Sequence, residues 1–113
     1  MWYQKRHNKY GAISTEYNGM IYHSKFEASY ARELDLRLKT KEIEKWERQK
    51  KISLDVNGYH ICNYYIDFIV YHHDKTIEYV EVKGFETWLW RIKWKLFEAL
   101  YSDKPNIILT VVK

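Results

Sequence analysis

The chain has 113 residues, a length that fits one folded domain. Its 19 Lys and Arg against 15 Asp and Glu give a formal charge of +4, which favours an anionic partner such as nucleic acid without requiring one. Cys62 is the single cysteine, so an intramolecular disulfide is excluded and a reducing, cytoplasmic setting is expected. We see no charged-then-apolar leader and no apolar run of membrane-spanning length, so no membrane association is expected.

The N-terminal third predicts an arm, a hairpin and a helix. Residues 1–9 are basic with two interspersed aromatics, which is typical of a terminal arm. Residues 13–23 alternate around Asn18-Gly19, the dipeptide favoured in two-residue hairpin turns. Ser24 is a good helix N-cap, and strong helix formers follow it as far as Lys39. We expect residues 1–23, the arm and hairpin, to belong to a single domain spanning residues 1–113.

The remaining residues predict four strands and a second helix. The predicted strands cover residues 45–56, 59–71, 76–83 and 107–112, and the helix covers residues 88–102 after a Thr87 cap. Asn57-Gly58 supplies the turn between the first two of these strands. An antiparallel meander closed by a helix crossover predicts an α/β fold with a mixed β-sheet flanked by two helices.

Glu27 lies on the apolar stripe of the first predicted helix. Ala31, Leu34 and Leu38 follow it at helical spacing, so its carboxylate projects from a face that should be buried. Burying an unpaired carboxylate costs roughly several kcal/mol. Because of this cost, a buried Glu27 would indicate a functional role. Ser24 and Glu27 also match the Ser-x-x-Glu capping box, in which Glu reaches back to the cap residue. The sequence leaves both interpretations open.

Two further carboxylates and a lysine lie on predicted strands. Asp67 interrupts an otherwise apolar stretch over residues 64–71, where Asp is disfavoured. Ile69 would share its face, while Ile66 and Phe68 would occupy the other. Glu81 and Lys83 are two residues apart and therefore point to one side of the next strand.

Three acids and a lysine gathered at one place indicate metal-dependent chemistry. Carboxylates in close quarters stay ionised only when a cation compensates them. Oxygen ligands select Mg²⁺ or Mn²⁺ over Zn²⁺, and such ions stabilise the attacking and leaving oxygens of phosphodiester hydrolysis. A neighbouring lysine can neutralise the charge that develops on the phosphate.

These motifs resemble the PD-(D/E)XK endonuclease-like superfamily, and more closely a family of small phage-encoded, resolvase-like proteins. The similar segments are Lys9–Ala12, Ser24–Ala28, Glu47–Gln49, Tyr65–Phe68, Glu81–Gly84 and Thr87–Phe97. The resemblance implies a restriction-endonuclease-like core. It implies that Asp67, Glu81 and the Val82 carbonyl bind metal, that Glu27 completes the site, and that Lys83 is catalytic. Ile66 occupies the position of the motif's nominal proline.

Four other side chains are candidates for nucleic-acid binding. Lys93 falls between two apolar rows of the second helix, so it either extends past the sheet edge or points into the cleft. The same helix in related folds often contributes a phosphate contact. Gln49 lies on a strand beside the predicted site, and Arg91 and Lys95 lie on the solvent-facing side of the helix.

The functional hypothesis is a divalent-metal-dependent endonuclease that hydrolyses DNA phosphodiester bonds. Branched or structured duplexes such as the Holliday junction are the expected substrates, and two coordinated cuts at a junction would require a homodimer. The alternatives are a non-catalytic nucleic-acid-binding module on the same fold and a nuclease subunit that is active only within a larger complex.

Overall fold

The computed structural model describes residues 14–113, so the predicted arm over residues 1–9 and the Lys9–Ala12 segment lie outside the described range. The described part has the element order β1 (Thr15–Tyr17), β2 (Met20–Tyr22), α1 (Lys25–Lys39), β3 (Lys45–Val56), β4 (Tyr59–Tyr71), β5 (Ile77–Val82), α2 (Trp88–Tyr101) and β6 (Ile107–Val112). No helix within residues 14–113 is long and apolar enough to cross a membrane.

The main sheet is mixed, as predicted, with the strand order β3-β4-β5-β6. β3, β4 and β5 form the antiparallel meander, and β6 pairs in parallel with β5 after the α2 crossover. β5 is one residue shorter at each end than predicted. Thr76 belongs to the preceding turn, where its N–H donates to Oδ1 of Asp74 (3.0 Å), and Lys83 leads into Gly84.

Two Asn-Gly turns connect antiparallel strands, and both predictions of a hairpin are confirmed. Asn18 and Gly19 join β1 to β2 with φ angles of 52° and 81°. Asn57 and Gly58 join β3 to β4 with nearly the same values, 51° and 82°. Left-handed backbone at both central positions is the geometry of type I′ turns, which match the twist of antiparallel strands.

The two helices cover opposite faces of the sheet. On one face, Ala28, Ala31 and Leu34 of α1 form a buried cluster with Phe68 and Val80. On the other face, Trp94 and Phe97 of α2 form a second buried cluster with Tyr64, Ile66 and Ile69. Each helix therefore buries one stripe against the sheet, and burial of this apolar area is the main source of stability.

The side-chain alternation of β3 and β4 inverts at Gln49 and Asp67. Arg48 pairs with Phe68 and Lys50 pairs with Ile66, but Gln49 and Asp67 are not paired between them, and Gln49 has a φ of 54°. Ile66 packs with α2 while Phe68 packs with α1, although strict alternation would place them on one face. The expectation that these two residues share a face is therefore wrong, because the irregularity reverses the pleat.

β4 and β5 separate at the same point. Their backbone pairing runs from Tyr71 opposite Ile77 to Phe68 opposite Val80 and stops there. β5 continues its parallel pairing with β6 as far as Val82 opposite Val112. The sheet therefore opens into a fork between β4 and β5, and Asp67 is the first residue of β4 inside it.

The buried face of α1 can be tested with two leucines of the same helix. Leu34 is 0 % exposed, so Leu34→Ala should lower the free energy of unfolding by about 2–5 kcal/mol through lost contacts and a cavity. Leu36 is 62 % exposed, so Leu36→Ala should change it by less than about 0.5 kcal/mol. Urea denaturation followed by circular dichroism measures both values. Equal losses would contradict the observed face.

Candidate active site

Glu27 is positioned by the first turn of α1. The Ser24 hydroxyl oxygen accepts a hydrogen bond from the Glu27 backbone N–H (3.1 Å), which confirms Ser24 as the N-cap. Among residues 14–113, the Glu27 carboxylate accepts from Nε2 of Gln49 (3.3 Å) instead of closing a capping box with Ser24. The residue is 4 % exposed. The backbone of Glu27 therefore serves the cap, and its carboxylate is directed to the sheet.

Asp67 occupies the fork between β4 and β5. Its Oδ2 accepts a hydrogen bond from the Val82 backbone N–H (2.9 Å), so the side chain replaces the backbone partner that a continuous ladder would supply. The residue is 8 % exposed. Its neighbours Ile66, Phe68 and Ile69 are buried as well, so β4 is covered on both faces there.

Glu81 and Lys83 lie on the α2 side of the fork. Glu81 is 1 % exposed, and its Oε1 has no hydrogen-bond partner among residues 14–113. The ammonium group of Lys83 lies 3.6 Å from Oε2 of Glu81, which confirms that the two side chains meet. The Lys83 side chain remains 24 % exposed, so its ammonium group is accessible from solvent. An orphaned, buried carboxylate oxygen is costly and needs an explanation.

Burial raises the proton affinity of all three carboxyl groups, and the charge of Asp67 raises that of the two glutamates further. Burial raises the pKa of Glu81 from 4.5 to about 8, with the charge of Asp67 as the next cause. Burial likewise raises the pKa of Glu27 from 4.5 to about 7, again with Asp67 next. Burial also raises the pKa of Asp67, while the Val82 N–H and the charge of Lys83 oppose that rise. Asp67 is therefore the shared neighbour, and the site retains protons near neutral pH.

Four residues around the carboxylates were not predicted from the sequence. The charge of Arg48 lowers the pKa of Glu27, and Nδ1 of His23 lies 3.9 Å from Glu27 Oε2. Tyr64 lies beside Glu81 and lowers the pKa of its carboxyl group, and Trp90 Nε1 donates to the Tyr64 hydroxyl (3.1 Å). Alternation of side chains along β4 gave no signal for Tyr64, because the inversion at Asp67 is not visible in the sequence.

The structure divides the four predicted nucleic-acid contacts. Gln49 joins the site through its hydrogen bond to Glu27. Lys93 does not, since its ammonium group lies 3.5 Å from the Asn63 carbonyl oxygen of β4. Arg91 and Lys95 are exposed on α2, and both line a groove of about 480 Å³ that does not include Glu27, Asp67 or Glu81.

The donor atoms fit a hard divalent cation in their chemistry. Within residues 14–113, no three His, Cys, Asp or Glu side chains are already arranged as a metal-binding group. Glu27 and Asp67 interact, as do Asp67 and Glu81, but the three do not converge on one point. The orphaned Oε1 of Glu81 and the oxygen-only donor set fit Mg²⁺ or Mn²⁺.

The raised pKa of Glu81 gives a signed prediction for stability. Because the pKa of folded Glu81 is about 8 and its ordinary value is 4.5, the protonated residue stabilises the fold fully below pH 4.5. That stability is lost as the pH rises through 8. Glu81→Gln keeps the shape without ionising, so the variant should melt above wild type at about pH 9 and near it at about pH 4. Calorimetry without divalent metal measures both.

A matched control removes a carboxylate from the solvent-facing side of α1. Glu33→Gln should leave the difference in melting temperature from wild type the same at both pH values, because Glu33 is exposed. A Glu81→Gln protein that melts at or below the wild-type temperature at about pH 9 would show that ionisation of Glu81 does not destabilise the fold.

Comparison with known families places the chain in one of them. A family model described as "Protein of unknown function (DUF1064)" matches residues 7–113. No curated protein and no solved structure gives a significant match. The matched range includes Glu27, Asp67 and Glu81, the three carboxylates of the site. The chain therefore belongs to the DUF1064 family.

Proposed function

We propose that this protein is a divalent-metal-dependent endonuclease that hydrolyses DNA phosphodiester bonds. One observation carries the proposal. Glu27, Asp67 and Glu81 are all buried at the fork of the sheet, with the half-buried ammonium group of Lys83 beside them. A constellation of three acids and one lysine matches the site expected of the PD-(D/E)XK superfamily. We infer that the mixed sheet and its two helices are a small form of the restriction-endonuclease-like core.

The cost of burying three acids supports a cation as the missing partner. Two cationic side chains, Lys83 and Arg48, lower the pKa of Glu27, but burial and Asp67 outweigh them. A protein selected for stability alone would replace such a cluster with apolar residues of similar volume. The three buried carboxylates lower stability, and such a loss is common where the residues serve an active site.

Each residue has a definite part in the proposed chemistry. Asp67, Glu81 and the Val82 carbonyl would hold Mg²⁺ or Mn²⁺, with Glu27 completing the set from α1. The bound cation would polarise the phosphodiester and favour attack by water. Lys83 would donate a hydrogen bond to the attacking water or to a phosphate oxygen, and its charge would stabilise the negative charge that develops there. Gln49 would hold Glu27 in place through their 3.3 Å hydrogen bond.

Positive charge supports DNA as the substrate. The chain carries a formal charge of +4, and the exposed Arg91 and Lys95 lie on the helix that contributes Trp90 to the surroundings of the site. We propose a branched duplex such as the Holliday junction as the substrate, and a homodimer as the acting form, because the described residues of one chain form one such site and two cuts need two sites. Cys62 is a free thiol, which suits the cytoplasm proposed as the location.

Cleavage of labelled DNA tests the assignment of the catalytic residues. With Mg²⁺ or Mn²⁺, Asp67→Asn and Lys83→Met should each lower the rate by about 100-fold or more, because each removes charge needed at the reacting phosphate. Lys39→Met, which removes an exposed lysine from the end of α1, should cut at the wild-type rate. Cutting by Asp67→Asn as fast as by wild type would reject the site. No cutting and no metal binding by wild type would favour the binding-module alternative.

The choice of substrate has its own test. A four-way junction should be cut more than about tenfold faster than a linear duplex of the same sequence, a difference of about 1.4 kcal/mol. Light scattering on the junction complex should give two protein chains per junction. Equal rates on both substrates would reject the junction preference while leaving the nuclease assignment intact. One chain per junction would reject the homodimer.

A further inference from the structure

Trp90 is fixed in the first turn of α2. Its backbone N–H donates to the Thr87 hydroxyl oxygen (3.1 Å), so the helix cap sets the position of the residue. Its indole ring stacks on that of Trp94, with the ring centroids 5.9 Å apart and an interplanar angle of 20°. The side chain therefore has little freedom, and two of its other contacts are directed at the site.

The first of these contacts runs through Tyr64. The indole nitrogen of Trp90 can only donate, so the 3.1 Å hydrogen bond makes the Tyr64 hydroxyl oxygen an acceptor. The hydroxyl proton of Tyr64 is then available to donate to the neighbouring carboxyl group of Glu81, whose pKa Tyr64 lowers and whose Oε1 has no hydrogen-bond partner among residues 14–113. Tyr64 is itself 4 % exposed, so water cannot readily replace either bond.

The second contact is with the lysine. The ammonium group of Lys83 lies 5.1 Å from the centroid of the Trp90 ring, within the range of a cation–π interaction. Lys83 has a flexible four-carbon stem, and its ion pair with Glu81 alone would leave the ammonium group several positions. One side chain of α2 therefore contacts the lysine by its ring face and reaches the carboxylate through Tyr64.

We infer that Tyr64 and Trp90 are positioning residues for the reaction, with Tyr64 orienting the Glu81 carboxylate and Trp90 orienting both Tyr64 and the Lys83 ammonium group. The inference rests on the proposed function. Hydrogen-bond donors to metal-binding carboxylates typically change metal affinity or activity by about 10- to 100-fold. Neither residue touches the reacting atoms, so each acts through the side chain that it holds.

Two conservative variants separate the two effects. Tyr64→Phe removes the hydroxyl and keeps the ring, so Mn²⁺ affinity and kcat should both fall, by about tenfold or more. Trp90→Phe removes the donor to Tyr64 and weakens the contact with Lys83, so Mn²⁺ affinity should fall by less than in Tyr64→Phe and kcat by about tenfold. KM for DNA should stay within about threefold for both, because neither residue binds the substrate.

The double variant tests the order of the residues. If Trp90 acts on Glu81 only through the Tyr64 hydroxyl, the Mn²⁺ affinity of the Tyr64→Phe/Trp90→Phe protein should equal that of Tyr64→Phe alone. Its kcat should be lower than that of Tyr64→Phe, since the contact with Lys83 is lost as well. Additive losses of Mn²⁺ affinity would overturn this order.

Calorimetric titration with Mn²⁺, thermal melts without metal and steady-state cleavage complete the experiment. Tyr79→Phe and Trp88→Phe are the matched controls, because Tyr79 packs in the same cluster with α2 and Trp88 is 71 % exposed on that helix, and we expect wild-type metal affinity from both. A Tyr64→Phe protein that melts lower but binds Mn²⁺ and turns over as wild type would show a purely structural role and overturn the inference. Wild type that neither binds Mn²⁺ nor cuts DNA would instead reject the proposed function, and the inference with it.

Discussion

The site depends on the hydrogen bond from the Val82 N–H to Oδ2 of Asp67. A side chain accepts this bond because β4 and β5 have stopped pairing after Phe68 and Val80. Leaving the Val82 N–H unpaired in the interior would cost about 1–3 kcal/mol, so the Asp67 carboxylate stabilises the open fork that it occupies. The same bond also holds Asp67 beside Glu81. Opening of the sheet and assembly of the site are therefore one structural event.

The fork resolves a geometric difficulty that a continuous sheet would create. Glu27 belongs to α1 on one face, whereas Glu81, Tyr64 and Trp90 lie on the α2 face. A closed layer of backbone would keep these groups apart, since successive side chains leave the sheet on opposite sides. Asp67 interacts with carboxylates from both faces because the pairing is interrupted there. The charge of Asp67 therefore raises the pKa of a glutamate on each side of the sheet.

The sequence was sufficient for most of the fold because its local signals are strong. Asn18-Gly19 and Asn57-Gly58 set the two hairpins, and Ser24 and Thr87 begin the helices as expected. Glu27 and Asp67 could be singled out because each interrupts an apolar pattern. The inversion of side-chain alternation at Gln49 could not be predicted from the sequence. Gln49 has a left-handed φ of 54°, but no glycine or turn dipeptide at this position indicates it. The expectation that Ile66 and Phe68 share a face was wrong for this reason, because it assumed strict alternation through Asp67.

The residues that were missed share a physical property. Tyr64, Trp90 and Arg48 are large side chains whose contacts with the site are set by tertiary packing rather than by spacing along one element. Trp90 fits an apolar helix row equally well whether its indole nitrogen has a partner or not. Its significance appears only when β4 brings the Tyr64 hydroxyl within 3.1 Å. Acidic residues in apolar segments are conspicuous in a sequence because burying them is costly, whereas the aromatic residues that orient them look like ordinary core. A sequence therefore identifies the charged groups of such a site more readily than the frame that holds them.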